Sequence, residues 1–157
     1  MSRTVLDSPI GPLVVTTTAE GVSGVEWPGH PGVADVDGGP DADLVLVRAV
    51  RELGEYFAGT RRVFDVAIDR GARRGFRGEV LDALEQVPYG TTVTYGELAA
   101  RAGRPRAARA VGTAMATNPI AVIVPCHRVL PAGGGTGGYA GGADAKAVLL
   151  RLEGSSD

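Results

Sequence analysis

The chain has 157 residues, a formal net charge of −2, 44% apolar residues and 22% charged ones, the balance of a globular protein rather than a disordered one. No run approaches the ~18 apolar residues of a membrane span. The single cysteine, Cys126, excludes an internal disulfide, and with two histidines and no CxxC or HxxxH spacing no metal is expected.

The charge is unevenly spread. Residues 1–69 hold five arginines against eleven carboxylates, whereas residues 70–157 hold eleven Arg and Lys against seven. The C-terminal half is the better candidate for meeting a polyanion, although a solvated face would give the same imbalance. Met1-Ser2-Arg3-Thr4 runs into strand-like sequence with no apolar signal-peptide core, so a cytoplasmic location is expected.

In chain order, Ser8-Pro9-Ile10-Gly11-Pro12 reads as a turn. Leu13–Thr17 and Val22–Trp27, joined through Ala19-Glu20-Gly21, read as a β-hairpin. Pro28 to Asp43 is rich in Pro, Gly and Asp and reads as a loop, with His30 a solvated side chain. Leu46, Val50, Leu53 and Phe57 recur at helical spacing, with Gly59 placed as a C-terminal cap. Val63–Ile68 reads as a further strand. The basic, glycine-containing segment 71–75 reads as a linker between domains at 1–70 and 76–157.

The second domain opens with a helix whose apolar face is Phe76, Val80, Leu84 and Val87, ended by Pro88-Tyr89-Gly90. Thr94-Tyr95-Gly96-Glu97 fits the capping-box pattern, which predicts a short helix with the stripe Tyr95, Leu98, Ala99 and Ala102, ended by Gly103. Pro105 suits the first turn of a following helix running to about Thr117. The two helices form a helix-turn-helix. Ala107, Ala110, Val111 and Ala114 are read as the inward stripe of the second, with Arg106, Arg109 and Thr113 outward and Ala108 and Gly112 beside them. Such a face can approach DNA closely and neutralise phosphate, but an alanine-rich helix with solvated arginines has the same sequence.

Ile120–Val124 is an apolar run of strand length that delivers Pro125-Cys126-His127-Arg128. A lone cysteine is commonly a small buried hydrophobe, and its ordinary pKa of ~8.5 leaves little thiolate at neutral pH. His127 and Arg128 supply a candidate base and a candidate positive charge. Gly133–Gly138 matches GxGxxG only because polyglycine fits most glycine motifs, and no helix opens directly after it. A pocket loop walled by Tyr139 is the better reading. A last helix, Asp144 to about Glu153, has the stripe Ala145, Val148, Leu149 and Leu152. Glu153, near its C-terminal end, is either the partner of His127 in a Cys-His-Glu relay or a frayed, solvated side chain.

Pro125-Cys126-His127-Arg128, with Arg109-Ala110-Val111-Gly112 and Asn118-Pro119 before it and Gly138-Tyr139-Ala140-Gly141-Gly142 and Lys146 after it, resembles the O6-alkylguanine-DNA alkyltransferases over about residues 76–154. The N-terminal part resembles them more loosely, through Asp7–Leu13 and Tyr56-Phe57-Ala58-Gly59. The resemblance implies an α/β (α+β) chain: a small ribonuclease-H-like N-terminal domain and a winged helix-turn-helix domain that binds double-stranded DNA in the minor groove. It implies a protein that needs no cofactor; with no dimer stripe in the sequence a monomer is expected, and cooperative binding along DNA is left open.

The roles it implies are as follows. Cys126 accepts the alkyl group from O6-alkylguanine, His127 is its base through a water, and Glu153 orients His127. Asn118 braces the active-site loop. Tyr95 helps rotate the base, Arg109 fills the vacated stack, and Arg106, Ala108, Ala110, Gly112 and Thr113 face DNA. Tyr139, Ala140, Val129, Met115 and Tyr95 line the pocket. Phe76-Arg77, Val80-Leu81 and Ala140 depart from the family's frequent Phe-Gln, Val-Trp and serine, which leaves the lesion range, including O4-alkylthymine, open. The competing readings are a non-catalytic alkyltransferase-like lesion binder, a Cys-His-Glu thiol hydrolase and a plain DNA-binding regulator.

Overall fold

The computed structural model describes residues 1–29 and 43–154. His30 and most of the loop read at 28–43 lie outside the described residues. Among the described residues no helix is long and apolar enough to cross a membrane. The chain divides into two compact units, Met1–Gly71 and Ala72–Asp157.

In the first unit, strands β1 (Ser2–Leu6), β2 (Leu13–Thr18) and β3 (Gly21–Glu26) form an antiparallel meander in the order β1-β2-β3. The β-branched run of β2 makes it the central strand, with Leu13, Val14, Val15 and Thr17 buried. Gly21 is required where it stands. It has φ +142, and a Cβ there would lie 2.4 Å from the Ala67 carbonyl oxygen. This close approach lets Val22 donate to Ala67 O at 2.9 Å and Asp69 donate to Val22 O at 2.8 Å.

Helix α1 (Leu44–Phe57) packs across the three strands. Its N-cap, Asp43, accepts from Leu46 N at 2.7 Å and from Ser2 Oγ at 2.9 Å. The buried face is Leu46, Ala49, Glu52, Leu53 and Tyr56, so Val50 and Phe57 of the sequence reading are only half-buried. The buried Glu52 explains a second correction. Its Oε1 accepts from Asp65 N (2.8 Å) and Val66 N (3.1 Å), so those donors serve a carboxylate rather than a ladder. Residues 63–68 form no strand, only a parallel bridge between Val22 and Ile68.

In the second unit, α2 (Gly75–Leu84) buries Gly78, Val80, Leu81 and Leu84, and Val87 is buried just beyond it. Phe76 is half-buried beneath the Arg104 guanidinium, 5.2 Å from its ring centre. The short strand β4 (Val93–Thr94) pairs in parallel with β5 (Val129–Leu130). Helix α3 (Tyr95–Arg101) carries the full capping box, Thr94 accepting from Glu97 N and Glu97 accepting from Thr94 N. Gly103, at φ +91, follows it.

Helix α4 (Ala108–Ala116) starts later than expected. Ala107 donates to Arg104 O at 3.0 Å, which places Pro105 and Arg106 at the centre of a turn, a site that Pro's fixed φ suits equally well. The buried residues of α4 are Val111, Ala114 and Met115, whereas Ala110 is exposed and Ala107 precedes the helix. The buried stripe is thus Val111, Ala114 and Met115, rotated away from Ala107 and Ala110. Helix α5 (Ala143–Leu152) closes the unit, burying Ala145, Lys146, Leu149 and Leu150, with Val148 and Leu152 half-buried.

Candidate active site

The turn that delivers the cysteine is not the strand its apolar composition suggested. Residues 120–125 fold back on themselves, with Val124 N donating to Ile120 O (3.0 Å), Ile123 N to Ala121 O (2.8 Å) and Cys126 N to Val124 O (2.8 Å). Val122 sits at φ 71, an outlier for a β-branched residue that costs on the order of 1–3 kcal/mol. Asn118 holds the turn from both sides, receiving Ile120 N at Oδ1 (3.1 Å) and giving Nδ2 to Val124 O (2.9 Å). The turn ends in a 3-10 helix, Cys126–Arg128.

The three residues of that 3-10 helix are all buried. The Cys126 side chain is desolvated, which pushes the thiol up from its ordinary pKa, while the Asn118 amide and the Lys146 ammonium act in the opposite direction. Nε2 of His127 lies 2.7 Å from Glu153 Oε2. Burial lowers the His127 pKa despite the Glu153 partner, which acts to raise it. The other ring nitrogen, Nδ1, is buried with no hydrogen-bond partner among the described residues. If the carboxylate accepts from Nε2–H, Nδ1 carries the lone pair.

Glu153 is the C-cap of α5 and is buried rather than frayed. Arg128 grips its carboxylate, with Nε 2.8 Å from Oε1 and Nη2 2.9 Å from Oε2, and donates Nη1 to Val87 O at 2.7 Å. Burial alone would raise the Glu153 pKa, but the hydrogen bonds from His127 and Arg128 outweigh it and hold the group far below the usual carboxylate range. The charge of Arg128 therefore faces Glu153, a role that the sequence reading did not assign.

Lys146, part of the sequence motif but given no role there, is a further residue of the site. Its fully buried ammonium donates to Val129 O at 2.7 Å and reaches Gly138 O at 3.5 Å, tying β5 to the glycine-rich loop. Desolvation lowers its pKa. A stripe read through Leu150 rather than Leu152 would have shown it, since Lys146 lies four residues before Leu150.

Tyr95, half-buried at the start of α3, meets the same loop. A Cβ at Gly137 would stand 3.0 Å from its hydroxyl and 3.1 Å from Pro131, and Gly137 has φ +72, so a glycine is needed there. Tyr139 is half-buried and Ala140 exposed, while Val129 and Met115 are buried.

On α4, Arg109, Ala110 and Thr113 are exposed and Ala108 and Gly112 half-exposed; Arg106 is exposed on the preceding turn. The C-terminal end of this helix leads through Asn118 into the cysteine turn. Cys126 and His127 are adjacent in one buried 3-10 turn, with the imidazole held by a carboxylate, the set of groups that a cysteine nucleophile uses, and the helix-turn-helix that precedes them is a motif shared by many DNA-binding proteins.

Comparison with known proteins narrows that class to one family. The description "6-O-methylguanine DNA methyltransferase, DNA binding domain" matches residues 75–155, and its ribonuclease-like domain matches residues 1–70. A methylated-DNA--protein-cysteine methyltransferase of Methanosarcina acetivorans is 43% identical, over 99% of each chain. One from Mycolicibacterium paratuberculosis is 43% identical, over 96% of this chain and 90% of its own. The crystal structure of Mycobacterium tuberculosis OGT in complex with DNA superposes with a TM-score of 0.84 at 41% identity, covering 98% of this chain and 92% of the other. The chain belongs to the 6-O-methylguanine DNA methyltransferase family.

Proposed function

We propose that this protein repairs DNA by direct reversal, moving the alkyl group of O6-alkylguanine onto Cys126 in a single irreversible event. The observation that carries the reading is the buried Cys126–His127–Glu153 array, with a 2.7 Å His127–Glu153 contact, in a chain 43% identical to a named methyltransferase over nearly its whole length.

The resting thiol is largely protonated, because desolvation raises its pKa, so the attack needs a base at the moment of reaction. His127 is suited to this because burial keeps its imidazole neutral. The Cys126 proton passes to Nδ1, directly or across one water. The sulfur lone pair forms the S–C bond as the C–O6 bond breaks, and its electrons stay with guanine. Guanine takes up one proton in turn, so the thiol proton is in effect exchanged for the alkyl group. The thioether product has no route back to thiol, and the protein acts once.

The target base must leave the helical stack, at a cost of a few kcal/mol that a weakened lesion pair partly offsets. Arg109, exposed on α4, fills the gap, with Arg106, Ala108, Ala110, Gly112 and Thr113 along the minor groove. Tyr95, Tyr139, Ala140, Val129 and Met115 bound the pocket, and Asn118 holds the turn. The protein works as a monomer in the cytoplasm, with DNA as its partner.

Two variants test the reading. Cys126→Ser should abolish transfer and leave duplex binding intact. Arg109→Ala should slow repair of duplex DNA while sparing reaction with free O6-benzylguanine. Equal losses on both substrates would remove Arg109 from its role, and retained transfer in Cys126→Ser would remove Cys126 from its own.

A further inference from the structure

A buried histidine against a buried carboxylate has two resting forms. The proton can sit on both ring nitrogens, giving an imidazolium–carboxylate pair, or the imidazole can stay neutral with Nδ1 open. Only the second form can accept a thiol proton. The His127–Glu153 contact at 2.7 Å does not itself decide between them. The groups around the ring do.

From the C-terminal end of α5, Glu153 favours the cation. From within α5, Lys146 opposes it, and on the 3-10 helix itself Arg128 opposes it as well. Arg128 also acts on the carboxylate directly. It binds both oxygens, at 2.8 and 2.9 Å, in the forked geometry that guanidinium and carboxylate share. Its third nitrogen is fixed by Val87 O at 2.7 Å, and its guanidinium lies 5.8 Å from the Tyr89 ring centre. The Tyr89 hydroxyl is anchored on Leu152 O at 3.1 Å, one residue before Glu153. The guanidinium is thus held in place on three sides. Because it already compensates the Glu153 charge, the carboxylate has less negative charge left to stabilise an imidazolium.

We propose that Arg128 is a positioning residue acting through Glu153: by holding both carboxylate oxygens it keeps the pair as carboxylate and neutral imidazole, with His127 Nδ1 open to the Cys126 proton. The inference deepens the function proposed above and rests on it for its catalytic meaning. A single basic side chain then does two things for the reaction. It aims Glu153 at Nε2, and it prevents the histidine from being spent as a cation before substrate arrives.

The first test uses the unmodified protein without any substrate. The 15N chemical shifts of His127, followed from pH 6 to pH 8, should report a protonated Nε2 and an unprotonated Nδ1 throughout. A doubly protonated ring at pH 7, or the Nδ1–H form, would overturn the inference. The second test follows the rate of reaction with free O6-benzylguanine against pH. Arg128→Met should move the acid limb of the profile to higher pH, with about a tenfold lower rate at a pH one unit below the new midpoint. Arg128→Lys, which keeps a cation beside Glu153, should return the limb toward that of the unmodified protein. A role confined to stability would lower the yield of folded Arg128→Met but leave its acid limb in place, and that result contradicts the proposal. The NMR measurement involves no alkyl group, so its failure and the failure of the repair reading are separable.

Discussion

Five titratable side chains are buried at the site: Cys126, His127, Arg128, Lys146 and Glu153. Their protonation links the site to stability. The folded pKa of His127 is depressed, so the unfolded chain binds this proton first as pH falls through about 6.5, and the native state loses stability over that range. Glu153 is also depressed. Its contribution is present above the ordinary carboxylate range and is lost only as pH falls below about 4. Denaturant unfolding at successive pH values should therefore show stability declining from pH 7 to pH 5, and His127→Asn should flatten that decline. An unchanged slope in the variant would mean that the imidazole is not held neutral. The adjacency of Cys126 and His127 was legible in the sequence, and so was Glu153 as a candidate partner. The partners of Arg128 and Lys146 were not, because spacing says nothing about which way a cation points once it is buried.

At the scale of elements, local chemistry decided what was readable. The capping box at Thr94 and the hairpin through Gly21 involve near neighbours, and both form as expected. Ile120–Val124 and Val63–Ile68 did not form strands, since an apolar run alone does not tell a buried turn from a buried strand. In the first case Asn118 and short-range backbone bonds satisfy the donors. In the second Glu52 does, and it lies on a helix whose apolar stripe hid it. Burial raises the Glu52 pKa, but the bonds from Val66 N, Arg48 and Asp65 N together outweigh this and hold it low. Glu52→Leu strands those amide donors, and should cost about 3 kcal/mol of unfolding free energy, measured by denaturant titration. A loss below about 0.5 kcal/mol, the usual size of a surface change, would show that the segment at 63–68 is held by its packing alone.

Over the whole molecule, the charge imbalance between the halves and the exposed arginines beside α4 belong with DNA as partner, and the family membership extends to both units. The two-domain, mixed helix and sheet class was legible because each part carries its own sequence blocks. The departures at Arg77, Leu81 and Ala140 bear on it in different ways. Leu81 is part of the core of its unit. Arg77 donates to Thr117 O at 2.8 Å and to Thr117 Oγ1 at 3.0 Å, so it ties α2 to the end of α4. Ala140 is exposed on the glycine-rich loop and offers no hydroxyl to a base.

The central claim is that the chain takes one alkyl group from guanine in DNA and keeps it. The most direct measurement mixes the protein with an excess of duplex oligonucleotide containing O6-methylguanine and then weighs the proteolytic peptide that carries Cys126. One added methyl group on that peptide and one repaired base per protein molecule are expected. An unmodified Cys126 peptide, or repair continuing beyond one base per molecule, would contradict it.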